Sequence, residues 1–170
     1  MMMAALVVLM ACTTAEAKKK VKSVELWPDG TEISAWFSDT SRVDLSGLKH
    51  YVVTDYGVDR WADGVQTAQI QAVIDKCATE GGGVVVIPRG TFLSGSLFFK
   101  PKTHLLIEEG GELKGSDRIR DFQIVKTRME GQKLNYFAAL VNADGVDGFT
   151  ITGPGTINGN GQKYWEEFWI

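Results

Sequence analysis

Residues 85–96 read VVIPRGTFLSGS, residues 105–116 read LLIEEGGELKGS and residues 149–160 read FTITGPGTINGN, so one short pattern occurs three times. The second copy starts 20 residues after the first and the third 44 residues after the second. In each copy the first, third and ninth positions are apolar and the eleventh is glycine: Val85, Ile87, Leu93 and Gly95; Leu105, Ile107, Leu113 and Gly115; Phe149, Ile151, Ile157 and Gly159. Alternating apolar residues in short runs broken by glycine are typical of strands joined by tight turns. A period of about 20 residues without intervening helices predicts an all-β solenoid, and a parallel β-helix rather than a leucine-rich repeat, which needs an Asn/Cys ladder.

The composition fits a globular protein. The chain has 170 residues, of which 44% are hydrophobic and 23% charged, so disorder is not expected. The net charge of −3 offers no basic surplus, so we predict no nucleic-acid partner. Cys77 is the only cysteine besides Cys12, and two histidines cannot complete a structural zinc site around it, so no metal or cofactor site is predicted.

The first 17 residues resemble a secretory signal peptide. Ala4–Cys12 is an apolar run too short to cross a bilayer as a mature helix. Ala15-Glu16-Ala17 has the small residues of a signal-peptide cleavage site, and Lys18 would be the first residue of the mature chain. The alternative is a bacterial lipoprotein box ending at Cys12, which would then carry a lipid anchor. Both interpretations predict a secreted, periplasmic or outer-surface protein.

Residues 18–50 form a predicted β-rich leader. Trp27-Pro28-Asp29-Gly30 indicates a hairpin turn. Residues 36–37 and 43–48 are expected to add a strand or to pack across the open end of the solenoid. We interpret Trp27 and Trp36 as packing residues rather than platforms for sugar rings.

The main domain is predicted over residues 51–170, beginning with a strand at Tyr51–Val53. Thr67 is the predicted N-cap of a helix that ends near Gly81. Its apolar stripe falls at i, i+3, i+4 and i+7, as Ile70, Val73, Ile74 and Cys77. Such a helix directly before the repeats is expected to cap the first coil and cover its strand edges.

Two glycine-rich segments are not interpreted as phosphate loops. Gly81–Gly83 follows a helix and leads into a strand, whereas a phosphate loop runs from a strand into a helix. Gly153-Pro154-Gly155 also lacks a following helix at the required place.

An insertion at residues 117–137 interrupts the period, because residues 97–99 align with residues 140–142. It carries five cations against three carboxylates, namely Arg118, Arg120, Lys126, Arg128 and Lys133 against Asp117, Asp121 and Glu130. Insertions of a solenoid emerge on one flank and often form a binding wall. A solvated loop is the favoured interpretation, and a wall facing an acidic ligand is the alternative.

The final segment, residues 164–170, is strongly apolar. Trp165 and Trp169 lie at i, i+4, the spacing of a helical stripe rather than of a sugar platform. A solenoid needs a polar cap on its last coil, and none is recognisable here. We therefore expect the chain to be the N-terminal part of a longer protein.

These motifs together resemble the polygalacturonase family of glycoside hydrolases, family 28, within the pectin-lyase-like superfamily. The matching segments cover residues 51–170 and are residues 54–57, 62–64, 70–77, 81–88, 90–97, 110–116, 151–159 and Trp165. The segment Thr-Phe-Leu-Ser-Gly-Ser-Leu at 91–97 is the most characteristic of the hydrolases. The chain departs at Asn158, where the family commonly has Asp, and before the helix, where it commonly has Asn-Thr.

The resemblance implies a right-handed single-stranded parallel β-helix and hydrolysis of α-linked galacturonic acid with inversion. An inverting glycosidase needs an acid and a base about 6.5–9.5 Å apart, a spacing that coils stacked about 4.8 Å apart can provide. The family's four catalytic motifs do not occur in this chain, and Asp144 and Asp147 are interpreted as turn residues. No catalytic, cofactor-binding or metal residue is therefore assigned, and these residues alone are expected to be inactive.

Two alternatives stay open: a pectate-lyase-like enzyme, and a non-catalytic β-helix adhesin or tailspike. The predicted partner is an acidic polysaccharide, pectin or polygalacturonate, bound by a monomer. The sequence does not distinguish attack within the polymer from attack at its end.

Overall fold

The computed structural model describes residues 26–39 and 43–169. Two compact units make up the chain, residues 1–42 and residues 43–170. The signal peptide predicted at residues 1–17, with Cys12, lies outside the described residues. Within the described part of the chain, no helix has the length and apolar character needed to cross a membrane.

The described part of the first unit is a small hairpin. Leu26 and Glu32 form an antiparallel bridge, and the Gly30 N–H donates to the Trp27 carbonyl at 2.8 Å. The Asp29 carboxylate accepts from the Thr31 N–H and hydroxyl at 2.9 and 2.7 Å, which confirms the Pro-Asp-Gly turn. The strand considered at residues 36–37 is instead a 3-10 helix, Ala35–Ser38.

The aromatic side chains of this hairpin contact one another. Trp27 meets Phe37 edge-on at 5.2 Å, and Trp36 stacks on Phe37 with ring centroids 3.7 Å apart. Trp36 nevertheless keeps 69% of its surface exposed.

The second unit consists of short strands, a long helix and a short terminal helix. The strands are β1 (His50–Val52), β2 (Gly83–Ile87), β3 (Gly90–Ser94), β4 (Leu97–Phe98), β5 (Thr103–Ile107), β6 (Gly111–Gly115), β7 (Ile124–Met129), β8 (Gln132–Phe137), β9 (Val141–Asn142), β10 (Ile151–Thr152) and β11 (Thr156–Asn158). The α-helices are α1 (Thr67–Thr79) and α2 (Gln162–Phe168), and short 3-10 helices span Val53–Tyr56 and Ile119–Asp121. The strand predicted at Tyr51–Val53 therefore ends one residue earlier, at Val52.

Three parallel sheets run along the coils. They have the orders β1-β2-β5-β10, β3-β6-β11 and β4-β9. The coils β2-β3-β4 and β5-β6-β9 contribute one strand to each sheet, whereas β1 adds only to the first sheet and the coil β10-β11 only to the first two. The fold is a right-handed parallel β-helix, as the resemblance implied. Inward-facing aliphatic and aromatic side chains form one continuous core between the sheets.

The first sheet has the predicted spacing in its first two coils. Val85 pairs with Leu105, and these side chains are 0% and 1% exposed. In the third coil, however, Ile151 and not Phe149 pairs with Leu105, so the predicted alignment of Phe149 with Leu105 is wrong by two positions. Phe149 precedes β10 and packs on Phe99, with ring centroids 4.8 Å apart.

The corner before β11 explains this shift. Five residues separate Leu106 from Glu112, but only three separate their partners Thr152 and Thr156. Gly153 has φ +105°, and a Cβ there would lie 2.0 Å from the Ile107 carbonyl oxygen. The tight Gly-Pro-Gly corner therefore lies directly on the coil below, and after it Ile157 pairs with Leu113 as predicted.

A one-residue shift also affects the second sheet. Phe92, not Leu93, pairs with Leu113, because the corner before β3 has two residues and the corner before β6 has three. Since a slip of one residue turns every side chain to the opposite face of a strand, Phe92 is buried and Leu93 is only half-buried. The predicted alignment of Leu93 with Leu113 is therefore wrong by one position. The third sheet is shifted likewise, with Leu97 opposite Val141 rather than Leu140.

Helix α1 caps the first coil as predicted. Its stripe of Ile70, Val73, Ile74 and Cys77 is buried, with exposed fractions of 0–2%. Burial raises the pKa of the Cys77 thiol to about 11, consistent with its predicted place in the core. After the helix, Gly81 has φ +104° and the Gly82 N–H donates to the Cys77 carbonyl at 2.9 Å.

Polar side chains of α1 form hydrogen bonds with backbone groups of the adjacent coil. The Gln71 amide donates to the Phe98 carbonyl at 2.9 Å and accepts from the Phe98 N–H at 2.8 Å. Thr67 is not the N-cap: that position is Gln66, without a side-chain capping bond. The Thr67 hydroxyl instead accepts from the Gly95 N–H at 2.7 Å, so it bonds the adjacent coil rather than its own helix.

An ionic cluster joins the end of α1 to β1. Glu80 contacts the ammonium groups of Lys49 and Lys76 at 2.6 and 2.5 Å and accepts from the Tyr51 hydroxyl at 2.9 Å. The hydrogen bonds from Lys49, Lys76 and Tyr51 lower the pKa of Glu80 to about 2.

Candidate functional site

The insertion between β6 and β9 folds as an antiparallel hairpin. Its strands β7 and β8 pair from Ile124 opposite Phe137 to Met129 opposite Gln132. Glu130 and Gly131 form the two-residue turn with φ of 48° and 83°, the geometry of turns that match the twist of a hairpin. The sequence prediction of a solvated loop missed this hairpin, although an acidic residue before glycine between two β-prone runs was a usable signal.

The strand pairing collects basic side chains on one face of the hairpin. Lys126 and Arg128 are two residues apart and therefore point to the same side, opposite Asn135 and Lys133 respectively. We call these four residues the basic face, and all four are exposed. Within the described residues, none of its three cations has a carboxylate at ion-pair distance.

A cleft of 770 Å³ lies between this hairpin and the β4–β9 sheet. All four residues of the basic face line it, together with Phe98 of β4, Asn142 of β9, Asp144, and Val125, Thr127 and Leu134 of the hairpin. We call it the basic cleft. The Asn142 amide is already engaged, since it donates to the carbonyls of Leu97 and Ala139 at 3.0 and 2.7 Å. Of the basic face, Arg128 Nε is engaged as well, since it donates to the Gly131 carbonyl at 3.2 Å. The remaining polar groups of the basic face and the Thr127 hydroxyl are available to a ligand.

A second cleft, of 480 Å³, has an aromatic lining. It is lined by Ile119, Phe122, Tyr136, Phe137, Ala138, Ala139, Leu140, Gly159 and Tyr164. Tyr136 and Phe137 have ring centroids 4.1 Å apart, and the Tyr164 hydroxyl donates to the Ser116 carbonyl at 3.1 Å. Burial raises the pKa of the Tyr164 hydroxyl. Such rings can pack on the apolar face of a sugar.

A polar ladder crosses the outer surface of the second sheet. Glu112 accepts from the Asn158 amide at 2.8 Å and from the Thr91 hydroxyl at 3.0 Å. The Asn158 amide, more than the Thr91 hydroxyl, lowers the pKa of Glu112. A glycosidase general acid needs a raised pKa, so Glu112 does not suit that role. The ladder also accounts for Asn158, because an aspartate there would face another carboxylate.

The aspartates considered from the sequence lie in turns. Asp144 and Asp147 occupy the turns that connect β9 to β10. Among the residues that the structure describes, no three His, Cys, Asp or Glu side chains gather as a metal site would require. The terminal segment forms α2 as its spacing indicated, but Trp165 stays 62% exposed and does not form a packed stripe.

No family model matches the chain, but individual relatives do. An exo-poly-α-D-galacturonosidase of Dickeya chrysanthemi is 31% identical over 119 residues, which is 65% of this chain and 19% of the relative. An exopolygalacturonase of Platanus acerifolia is 31% identical over 116 residues, 66% of this chain and 27% of the relative. The chain thus spans about a fifth to a quarter of the length of the curated relatives it matches.

Solved structures agree with these relatives. The exopolygalacturonase of Thermotoga maritima superposes with a TM-score of 0.61 at 26% identity, covering 65% of this chain and 25% of that one. The family 28 exopolygalacturonase of Yersinia enterocolitica gives a TM-score of 0.58 at 30% identity, covering 66% and 21%. The resemblance stated from the sequence, to polygalacturonase-like family 28 proteins with a pectin-lyase-like β-helix, is confirmed.

Proposed function

We propose that the chain is the N-terminal part of an exported glycoside hydrolase that cleaves α-linked galacturonic acid in pectin. The observation that carries the proposal is the 31% identity to two exo-acting polygalacturonases over about two thirds of the chain. The stacked coils support it, because they are the scaffold on which the solved family 28 enzymes are built.

The mechanism we propose is inverting hydrolysis by two carboxyl groups. One protonates the leaving glycosidic oxygen, and the other activates a water on the opposite face of the sugar, which requires a separation of about 6.5–9.5 Å. Side chains on neighbouring coils can meet this distance, because coils stack about 4.8 Å apart.

We further propose that the catalytic coils follow residue 170. The open end of the described β-helix supports this, because Ile151 and Ile157, which pair with the core residues Leu105 and Leu113, are still 47% and 43% exposed. Another coil stacked on β10 and β11 would cover them. The greater length of the relatives is also consistent with further coils.

The test compares the complete protein with residues 1–170. We expect the complete protein to release reducing ends from polygalacturonate, with inverted anomeric configuration by NMR, and residues 1–170 alone to release none. Monomer as the first product would indicate attack at the chain end, as the names of the relatives suggest. An unsaturated uronide product would identify a lyase instead, and inactivity of the complete protein would favour the adhesin.

Export is proposed on the sequence of residues 1–17 alone. Mass spectrometry of the mature N-terminus distinguishes the two routes, because simple cleavage leaves Lys18 first and lipidation leaves an acylated Cys12. A mature protein that retains Met1 would contradict both.

A further inference from the structure

We infer that the basic face of the β7–β8 hairpin is a binding subsite for the carboxylates of an acidic saccharide chain. The identity of the saccharide as an oligogalacturonate rests on the proposed function. The site itself rests on the pairing register, the absence of ion-pair partners and the cleft beneath the hairpin.

The first argument is the arrangement of like charges. Arg128 and Lys133 are directly opposite each other across the strands, and Lys126 follows on the same face. Like charges directly opposite in an antiparallel pair destabilise it, since their side chains lie close together. Neither partner gains a described ion pair in return, so the arrangement costs stability in the unliganded protein. An anion bound between the two side chains would remove that cost.

The second argument is chemical fit. Arginine presents a planar fork that binds a carboxylate through two parallel hydrogen bonds, and the lysines add mobile cations. Asn135, opposite Lys126, supplies an uncharged amide that suits sugar hydroxyls. Asp144 is the single carboxylate in the lining, so the basic cleft is positive overall.

The third argument is the contrast with the whole chain. The net charge of the chain is −3, so the positive charge of the cleft is a local feature and does not reflect a basic surface over the whole protein. Polyanions such as nucleic acids are usually bound by proteins with an extended basic surplus. A confined group of three cations fits a short acidic oligosaccharide better.

The experiment measures binding of a trigalacturonate to the complete protein by calorimetry, with a neutral galactose trisaccharide as the reference ligand. The test variant carries Lys126→Ala, Arg128→Ala and Lys133→Ala. These side chains are exposed and lie outside the core, so the variant is expected to fold. The matched control removes three exposed arginines outside the basic cleft: Arg60→Ala, Arg89→Ala and Arg120→Ala.

We expect the test variant to bind trigalacturonate about tenfold or more weakly, while the control binds like the wild type. Wild-type affinity should also fall as ionic strength rises from about 0.02 M to about 0.5 M, because exposed charge pairs are screened. Equal binding by the test variant and the wild type would overturn the inference, and so would a wild-type protein that does not bind. Equally tight binding of a single-stranded oligonucleotide, lost in the same variant, would overturn the saccharide assignment.

Failure of the two proposals is distinguishable. A protein that binds trigalacturonate through the basic face but hydrolyses nothing would contradict the proposed hydrolase and support the subsite. A protein that hydrolyses polygalacturonate and is unaffected by the three substitutions would support the hydrolase and contradict the subsite.

Discussion

The two hydrogen bonds between the Gln71 side chain and the backbone of Phe98 offer the sharpest test of how the first coil is capped. The N–H groups of Leu97 and Phe99 donate toward β9, whereas both polar backbone groups of Phe98 face α1 and are paired by the Gln71 amide. Gln71→Ala would remove both partners at once. Leaving a buried backbone donor or acceptor unpaired costs about 1–3 kcal/mol for each group.

Phe98 is half-buried, so water can replace part of what is lost. We therefore place the expected destabilisation near the lower end for each group, about 2–3 kcal/mol in total. Gln71→Met removes the same hydrogen bonds while keeping the length of the side chain. If hydrogen bonding rather than packing is responsible, Gln71→Met should lose nearly as much stability as Gln71→Ala.

The assay is urea unfolding of the complete protein, followed by amide hydrogen exchange. The Phe98 amide should exchange faster in both variants, whereas the Val85 amide, in the middle of β2, should not change. Gln69→Ala is the matched control, because Gln69 is an exposed glutamine on the same helix. Stability of Gln71→Ala within about 0.5 kcal/mol of the wild type, the range of ordinary surface substitutions, would refute the reasoning.

Three further substitutions test other parts of the structure. Gly153→Ala places a Cβ against the carbonyl of the coil below and forces a positive φ, so it should lower the unfolding free energy by about 2 kcal/mol or more, whereas Gly64→Ala, where a Cβ lies in open space, should be nearly neutral in the same urea assay. Asn158→Asp exchanges a donor for a second carboxylate beside Glu112, so it should raise the pKa of Glu112, measured by NMR titration, and an unchanged pKa would contradict the ladder. The pKa of Glu80 is about 2 against an ordinary 4.5, so its contribution to stability is fully present above pH 4.5 and is lost as pH falls toward 2. In Glu80→Gln that part of the acid dependence of thermal unfolding should be absent.

The coils of the β-helix could be predicted from the sequence, because alternating apolar residues recur with a period of about 20 residues, which is typical of a β-solenoid. The same pattern could not set the register, since it fixes only where apolar residues recur and not how many residues turn each corner. Aligning Leu93 with Leu113 assumed equal corners, but the corner before β6 has one residue more than the corner before β3. An inward-facing residue can be named from sequence only when the corner before it is also known.

The candidate site was predictable in its charge but not in its shape. Five basic residues in the insertion were visible, yet only the β7–β8 register places Lys126, Arg128 and Lys133 together. The role of Thr67 shows the same limit, because a hydroxyl at a helix start suits an N-cap and also suits a bond to a neighbouring coil. Local sequence states which groups need partners, and tertiary structure decides which partners they find.

The position of the hairpin explains how a binding surface can be added to this β-helix at little structural cost. The insertion leaves the coil after β6 and rejoins it before β9, and β4 still pairs in parallel with β9, with Leu97 opposite Val141. The pairing is thus continuous across the insertion, because β7 and β8 pair only with each other, while the Gln123 N–H before the hairpin donates to the Ser96 hydroxyl of the coil at 3.2 Å. Substitutions on the basic face should therefore change ligand affinity without a matching loss in the unfolding free energy. If a variant of Lys126, Arg128 and Lys133 loses ligand affinity and unfolding free energy to a similar extent, the hairpin supports the coil. The proposed separation of binding from folding would then be wrong.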